Sequence, residues 1–553
     1  MDGAILETMV KENERMTLPN YNPSKPERSM LMLALLLLLL LTGVAFVARP
    51  MTPIDETRYI SVAWEMWLRG DFLVPFKNGA PYSHKPPLMI WLFQAGWAVF
   101  GVCEWWPRLV SPLVSATNLL LTVGLARRLW PDRQGIGGPA VLILASSLLW
   151  TFFSTAAMFD IILALFTLFG VHGTLMASDG KFRRGFALLG LAIGLGVLTK
   201  GPVILLLVLP VALLAPWWRP GLRWSRWFSG IGLAILLGAA IALAWAIPAG
   251  FAGGEAYRQA IFWGQTANRM VESFAHKRPF WWYLPLLPVL LMPWLLWPGL
   301  WRAIAKFPRQ GLDRGGRFCL AWTLPVFVAF SLISGKQPHY LIPLFPGFAL
   351  LAARALNDED RVKGFWLPSL AVFSVGTLLL ATAIGKIRLP LEGVSGLPAM
   401  WPGLLLMFLA LSAFLISRRF AKPVVLLAVL GVAVSASVQL TAMRTVSTAY
   451  DVRPMAMAIR QVQEEGHIVA HDGFYNDQFH FAGRLRSPLH EVGSNEELKS
   501  WLLAHPDSYT VVYAKNAQRL KGIKARASQS YLDGLVALLD AQSALMFVNN
   551  AGR

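Results

Sequence analysis

The chain has 553 residues, of which 55% are hydrophobic and 15% are charged. Soluble domains carry about a quarter charged residues, so this composition excludes an ordinary soluble enzyme and indicates a protein that lies mostly in lipid. The formal net charge of +19 would suggest nucleic acid in a soluble protein, but much of the excess lies in short loops between apolar segments, which favours membrane lipids and no nucleic acid.

The predicted elements begin with a polar cytoplasmic tail at residues 1–29. Residues 30–443 are predicted to form a transmembrane region whose first span is an uncleaved anchor. Thirteen spans are expected, which puts the two chain termini on opposite sides. They lie near 31–48, 106–129, 138–157, 160–178, 186–200, 202–218, 228–249, 281–301, 318–334, 339–356, 364–385, 401–417 and 421–441.

Two long outer loops interrupt this region, at about 49–104 and 250–280. In the first loop, Ile60–Leu68 and Pro87–Phe100 are predicted to be amphipathic helices at the membrane interface. Residues 444–553 are predicted to form a small α/β domain outside the membrane. Its expected strands are Ile468–Ala470, Thr510–Tyr513 and Leu545–Val548, and its expected helices are Pro454–Glu465, Asn495–Ala504 and Tyr531–Gln542. The predicted fold class is therefore mostly α, a polytopic membrane protein with a small α/β domain at its C-terminus.

Positive charge in the short loops predicts the orientation. Lys and Arg cluster in six alternate connections, at 127–133, 181–184, 219–226, 302–317, 354–363 and 418–422. Basic short loops stay cytoplasmic, so the N-terminus is predicted inside and the C-terminal domain outside. Nearly every side chain suited to chemistry then falls on the outer face.

The first candidate residues follow directly on the first span. Asp55 and Glu56 are adjacent carboxylates, with Arg58 and Tyr59 close behind. A carboxylate at a dry interface can accept a proton or brace positive charge on a sugar ring. The structural alternative is a helix start, in which Asp55 caps the helix and Glu56 favours its dipole.

Lysine side chains beside prolines form the second pattern. Lys85 precedes two prolines and follows Tyr82 and His84, so its backbone is extended and its ammonium could meet a phosphate. An interface lysine that only reaches toward the headgroups is the alternative. Lys336, His339 and Tyr340 repeat the pattern between two later spans.

Further charged residues flank the same predicted face. Arg269 and His276 lie in the second long loop, and several cations around one cavity repel one another unless an anion such as phosphate neutralises them. Asp160 lies at the short turn that joins two apolar spans. A carboxylate at that depth in the membrane is a functional candidate. Pairing with Lys200 or Arg269 is its structural alternative.

A divalent metal is a further possibility, since His84 and Asp160 with Asp55 or His276 offer nitrogen and oxygen ligands. No fixed ligand spacing supports it. Nucleotide-binding glycine motifs are absent from the sequence, and an outer active site would need its activated sugar delivered in the membrane. These points favour a lipid-linked sugar phosphate as the donor.

The motifs resemble a known family. Ile54-Asp55-Glu56-Thr57-Arg58-Tyr59, His84-Lys85-Pro86-Pro87, Leu198-Thr199-Lys200-Gly201-Pro202, His276-Lys277-Arg278 and Lys336-Gln337-Pro338-His339-Tyr340 are similar to motifs of the lipid A aminoarabinose transferases. These are membrane glycosyltransferases of the GT-C type, related to protein mannosyltransferases. The chain departs from them at His84, where several relatives carry an acidic residue.

The resemblance implies transfer of 4-amino-4-deoxy-L-arabinose from undecaprenyl phosphate to lipid A phosphates in the bacterial inner membrane, with resistance to polymyxin as the result. It implies an inverting reaction on the periplasmic side with no required cofactor. The implied roles are the catalytic carboxylate for Asp55, donor-phosphate binding for Lys85, Arg269 and Tyr340, and cavity residues including Tyr59, Tyr82 and Asp160. A related transferase with another polyprenyl-linked sugar and a hydroxyl acceptor, or a lipid-sugar transporter, stays open.

Overall fold

The protein was analysed as a computed structural model, which describes residues 24–133, 135–264, 277–306, 311–357, 364–387, 398–417 and 423–550. The first part is helical apart from one short hairpin. Its α-helices are α1 Lys25–Ala48, α2 Asp55–Arg69, α3 Leu88–Phe100, α4 Trp105–Leu129, α5 Gly137–Ser146, α6 Leu148–Phe153, α7 Phe159–Ser178, α8 Phe182–Lys200, α9 Val203–Leu213, α10 Ala215–Trp218, α11 Trp224–Ala252, α12 Glu255–Gln259, α13 Tyr283–Leu290, α14 Pro298–Lys306, α15 Arg314–Leu332, α16 Phe345–Leu356, α17 Trp366–Ala383, α18 Trp401–Ser417, α19 Pro423–Val438 and α20 Arg444–Tyr450.

Several of these helices are long and apolar enough to cross a membrane. Within the described residues there are nine such helical stretches, and four shorter apolar helices accompany them. Their outer surfaces are apolar: Leu39 on α1 is 67% exposed and Leu236 on α11 is 66% exposed. Exposed leucine on a long apolar helix is stable only against lipid, so these surfaces indicate a membrane protein.

Three of the expected spans are not continuous helices. The 138–157 span consists of α5 and α6, and the 202–218 span consists of α9 and α10. The 281–301 span is divided into α13, a 3₁₀ turn at Trp294–Leu296 and the start of α14. Proline accounts for the last break, because Pro293 and Pro298 cannot donate the backbone hydrogen bonds of a continuous helix.

Close packing of α7 on α8 positions the residues at their ends. A Cβ atom added to Gly173 would lie 2.6 Å from the carbonyl oxygen of Gly185, so only glycine lets the two backbones approach this closely. The helices run antiparallel and are joined by a short turn. As a result, Asp160 in the first turn of α7 lies beside Lys200 in the last turn of α8.

Basic side chains gather at the opposite ends of the helices. Arg127 meets Glu27 at 3.3 Å, and Arg314 meets Asp179 at 2.6 Å. Since Asp179 follows the last turn of α7, this face lies about a 20-residue helix, or about 30 Å, from Asp160. The separation of basic loops from the chemistry-bearing residues, expected from the sequence, is thus seen for the two described connections that carry Arg127 and Arg314.

The C-terminal part contains a five-stranded sheet in the order β4-β3-β5-β7-β6. Strands β3 to β5 are parallel, whereas β7 pairs antiparallel with both β5 and β6. The elements are α21 Arg453–Glu464, β3 Val469–Asp472, α22 His480–Gly483, β4 His490–Val492, α23 Asn495–Ala504, β5 Tyr509–Ala514, β6 Ala527–Tyr531, β7 Gly534–Asp540 and α24 Ala541–Asn549. The hairpin of the first long loop is formed by β1 Phe76–Lys77 and β2 Ala80–Pro81.

Two expectations for the C-terminal part were wrong. Residues 531–542 were expected to be helical but contain β7, and 545–548 were expected to form a strand but lie in α24. Pairing with both β5 and β6 overrides the helical preference of the Leu-Val-Ala-Leu-Leu run. Asp540 then starts α24 as its N-cap, since its carboxylate accepts a hydrogen bond from Ser543 N at 2.7 Å.

Candidate functional site

The first part of the site is the N-terminal turn of α2, where Asp55, Arg58 and Tyr59 form what we term the Asp55 group. Arg58 donates a hydrogen bond to Asp55 Oδ1, and Tyr59 Oη donates to the same oxygen at 3.1 Å. The Asp55 side chain is nonetheless 49% exposed, whereas Arg58 is 20% exposed. This carboxylate is oriented by two donors and remains open to a substrate.

Burial determines the charge state of the neighbours of Asp55. It raises the pKa of Tyr59 far above its ordinary value, and the nearby Asp55 charge raises it further. Burial alone would lower the pKa of Arg58, but Tyr82, Tyr59 and Asp55 raise it overall. Tyr59 therefore stays protonated as a donor, and Arg58 stays positively charged.

The second part is the Asp160 group, which consists of Asp160, Lys200 and His339. Lys200 Nζ lies 2.6 Å from Asp160 Oδ1, and His339 Nε2 lies 4.0 Å from Oδ2. The Asp160 side chain is only 2% exposed. The helix dipoles favour both charges, because Asp160 starts α7 and Lys200 ends α8.

Phe159 links the two groups. The rings of Phe159 and Tyr59 meet edge to face with centroids 4.8 Å apart, and Lys85 Nζ lies 5.6 Å from the Phe159 centroid. Lys85 is also within electrostatic range of Asp160. The loop that carries Lys85 thus lies over the start of α7.

The remaining cavity residues extend this arrangement. Lys200 Nζ lies 4.8 Å from the ring centroid of Tyr340, whose ring is also 4.9 Å from that of His339. The rings of Tyr82 and His84 have centroids 5.3 Å apart and are tilted by 31°, and Tyr82 is within electrostatic range of Arg58. The structure therefore brings together ten predicted site residues: Asp55, Arg58, Tyr59, Tyr82, His84, Lys85, Asp160, Lys200, His339 and Tyr340.

Glu56 lies in a different place from the one expected of a cavity residue. Its side chain is 3% exposed and accepts hydrogen bonds from Arg49, from Thr52, and from Ala157 N at 2.7 Å. Burial would raise the pKa of Glu56, but the Arg49 charge and the bonds from Thr52 and Ala157 more than offset it, so that the pKa is lowered. Glu56 therefore fastens the start of α2 to the segment that precedes α7.

Lys336 also has a structural position. Its buried ammonium donates to the carbonyl oxygens of Arg278, at 3.0 Å, and Ile333, at 2.5 Å. It thereby ties the end of the second long loop to the C-terminus of α15. The predicted donor-binding Arg269 and the metal candidate His276 lie outside the described residues.

The predicted metal ligands do not form a group in the described part of the chain. Asp160 is paired with Lys200, and the His84 ring lies against Tyr82 at a tilt of 31°. The described side chains that are arranged to hold a metal ion are instead Glu65, Asp477 and His480. A metal at His84, Asp160 and His276 stays a prediction.

Sequence reasoning missed three contributors. Arg49 neutralises Glu56, and Phe159 links the two charged groups. Asn476 of the C-terminal part approaches Arg58, with Oδ1 3.4 Å from the guanidinium. Arg49 could have been identified from the sequence, because it is a charged residue at the very end of the first span. Nothing local in the sequence pointed to Asn476.

Comparison with known proteins places this geometry in context. The family model described as dolichyl-phosphate-mannose-protein mannosyltransferase matches residues 84–246, which include Lys85, Asp160 and Lys200. A protein from Edwardsiella ictaluri named undecaprenyl phosphate-alpha-4-amino-4-deoxy-L-arabinose arabinosyl transferase is 34% identical over 348 residues, covering 60% of this chain and 61% of that protein. The protein of the same name from Pseudomonas aeruginosa is 34% identical over 342 residues, covering 60% of each.

Solved structures extend the likeness over nearly the whole chain. The crystal structure of ArnT from Cupriavidus metallidurans in the apo state superposes with a TM-score of 0.74 at 21% identity, covering 93% of this chain and 98% of that one. The same protein bound to undecaprenyl phosphate gives a TM-score of 0.72 at 22% identity, covering 92% and 97%. This chain shares the ArnT fold.

The predicted fold class and the resemblance to the aminoarabinose transferases are therefore confirmed. The chain is a multi-pass membrane protein. The aligned region spans about three fifths of the length of the curated relatives.

Proposed function

We propose that this protein is an integral membrane glycosyltransferase that moves 4-amino-4-deoxy-L-arabinose from undecaprenyl phosphate to phosphate groups of lipid A. The observation that carries the proposal is a half-exposed Asp55 paired with Arg58 and connected through the Tyr59 and Phe159 rings to Lys85, on a chain 34% identical to proteins named for this transfer. The resemblance favours transfer over the transport of a lipid-linked sugar.

In this proposal the donor phosphate binds beside Lys85 and Tyr340, with Arg269 completing the site. An oxygen of the acceptor phosphate attacks the anomeric carbon, and the bond from that carbon to the donor phosphate oxygen breaks. Undecaprenyl phosphate leaves with the electron pair, and positive charge near its oxygens stabilises the charge that develops on it. No cofactor is needed for this displacement.

Asp55 is proposed to orient the acceptor or to hold the ammonium group of the sugar. A phosphate monoester has a second pKa near ~6, so at neutral pH it is mostly dianionic and already a competent nucleophile. Asp55 then need not act as a strict general base. A hydroxyl acceptor, in contrast, would have to lose a proton to it.

The proposed location is the bacterial inner membrane, with the N-terminus cytoplasmic and the site and C-terminal domain periplasmic. The basic side chains on the face about 30 Å from Asp160 support this orientation, because short basic loops stay in the cytoplasm. Adding a cationic sugar to lipid A would lower the negative charge of the outer membrane and give resistance to polymyxin.

Mass spectrometry of lipid A from cells with and without the protein tests the substrate. We expect a pentosamine increment that is lost without the protein and lost in Lys85→Ala. Lys181→Ala is the matched control, since Lys181 is exposed in the turn between α7 and α8, a helix length from the site. It should keep the increment. A lipid A profile that does not depend on the protein would contradict the proposal.

A second candidate is transfer to a protein hydroxyl, which the family model over residues 84–246 favours. It predicts unmodified lipid A together with glycosylated periplasmic protein that disappears in Lys85→Ala. The two candidates thus give opposite results in the same pair of strains.

A further inference from the structure

A cluster of ionisable side chains lies where α2 meets the C-terminal part, and the proposed sugar transfer does not use it. Glu65 of α2 faces Asp477 and His480, and one donor atom from each lies within 4.8 Å of the others. His480 Nε2 is 3.9 Å from Glu65 Oε1, and its Nδ1 is 2.9 Å from Asp477 Oδ1. All three side chains are buried.

Acceptor atoms in this cluster lack donors. Asp477 is 0% exposed, and His480 Nδ1 lies 2.9 Å from its Oδ1, but within the described ranges neither carboxylate oxygen receives a hydrogen bond of acceptable geometry. The two carboxylate oxygens of Glu65 differ. Oε2 accepts a hydrogen bond from Gly79 N at 2.9 Å, whereas the buried Oε1 has no hydrogen-bond donor within the described ranges. Buried carboxylate oxygens without donors are costly, and a bound cation would remove that cost.

We propose that Glu65, Asp477 and His480 bind a divalent metal ion, with zinc preferred. Two carboxylates and an imidazole suit a borderline ion such as zinc better than magnesium or calcium, which take oxygen ligands. Two bonds of about 2.0–2.2 Å span the 3.9 Å between His480 Nε2 and Glu65 Oε1. Asp477 is the third proposed ligand, with one oxygen within 4.8 Å of the other two donor atoms; its Oδ1 lies 2.9 Å from His480 Nδ1 and would turn toward the ion on binding.

The surrounding groups fit such a site. Gly79 N fixes the far oxygen of Glu65, and Tyr475 Oη lies 2.9 Å from His480 Nδ1, so both ligands are held from behind. An open pocket of about 420 Å³, lined by Glu65 and His480, gives an ion and its water access. Arg69 and Arg486 line the same pocket and are the competing partners for the carboxylates.

The ion would join α2 to the C-terminal part. Two direct contacts cross the same junction: Trp64 Nε1 donates to Leu485 O at 2.9 Å, and Phe481 N donates to Ser61 Oγ at 3.0 Å. Because α2 begins with Asp55, a metal bridge at Glu65 would hold the helix that carries the catalytic carboxylate. This site is separate from the metal ligands predicted at His84, Asp160 and His276.

Metal analysis and thermal unfolding of the full-length protein in detergent test the proposal without reference to sugar transfer. After removal of metal with a chelator, we expect the protein to bind one zinc ion per chain and to melt at a temperature that rises with zinc concentration. Asp477→Asn and His480→Gln should lose both effects. His490→Gln is the matched control, because His490 is exposed in the same sheet, and it should retain them.

Cobalt binding to the wild-type protein gives a readout that does not depend on the variants folding. We expect the visible absorption of cobalt in a nitrogen and oxygen site, removed by one equivalent of zinc. Folded wild-type protein that binds neither ion would overturn the proposal and leave Arg69 or Arg486 as the partner of the carboxylates. Zinc that persists in both folded variants would place the ion elsewhere and overturn it equally.

Discussion

The Asp55 group and the Asp160 group each place a carboxylate beside positive charge, but they differ in their access to solvent. Asp55 is 49% exposed and meets Arg58 in a single helical turn, whereas Asp160 is 2% exposed and meets Lys200 from the neighbouring helix. The exposed carboxylate is free to meet a substrate. The buried one joins α7 to α8.

This difference has an energetic counterpart. Breaking a buried pair by removing one partner typically costs about 3–5 kcal/mol, because the other charge stays buried without compensation. An exposed pair contributes only about 0–1 kcal/mol. Substitutions that remove each charge should therefore separate transfer from stability.

The largest expected effect is on transfer in Asp55→Asn. We expect the rate to fall about 10²–10⁴-fold, the range found for groups that act in proton transfer or in positioning the reactants, with a loss of stability under about 1 kcal/mol. Transfer by purified protein and thermal unfolding measure the two quantities. Asp132→Asn, which changes an exposed carboxylate after α4, is the control and should leave both unchanged.

The pH dependence of the residual rate sharpens this prediction. With a phosphate acceptor, the residual rate of Asp55→Asn should not change with pH above ~7, since the second ionisation of the phosphate is complete there. A rate that keeps rising above that pH would contradict the phosphate acceptor. A large loss of thermal stability would contradict the contrast with Asp160.

The Asp160 group should respond in the opposite way, mainly through stability. Asp160→Asn leaves Lys200 without its charge partner, and we expect a loss of about 3–5 kcal/mol in thermal unfolding. The double variant Asp160→Asn with Lys200→Met removes the unpaired ammonium and should recover most of the loss. A double variant as unstable as the single one would show that the pair is not what holds α7 to α8.

The sequence predicted which polar residues lie close together better than it predicted their contacts. Asp55, Lys85 and Asp160 were recognised because polar residues at the ends of apolar spans are rare and need a reason. Glu56 and Lys336 carry the same signal, but the structure uses them for packing against Arg49 and against backbone carbonyls. Local sequence does not tell which of two adjacent carboxylates faces a cavity, since that depends on the helix rotation set by tertiary contacts.

Contacts between distant segments were beyond prediction for the same reason. Glu65 meets Asp477 and His480 only because α2 docks on the C-terminal part. In that part, residues 531–548 were predicted to form a helix and then a strand, but they form a strand and then a helix. Pairing on both sides of β7 outweighs the local preference. The membrane region was easier to predict, because its apolar segments follow from length and composition alone.

Glu56 gives the smallest expected effect and a test of the structural role of the second carboxylate. Its folded-state pKa lies below the ordinary value of 4.5, so the unfolded chain binds the proton more readily in acid. The stability from Glu56 is therefore fully present above about pH 4.5 and is lost as the pH falls through the lowered pKa. Glu56→Gln should cost about 3 kcal/mol at neutral pH, the lower end of the range for breaking a buried ion pair, because Arg49 keeps its hydrogen bond to Thr155 O. The melting temperatures of variant and wild type should converge below pH 4.5. A difference independent of pH would mean that the shape of Glu56, and not its charge on Arg49, fastens α2 to the start of α7.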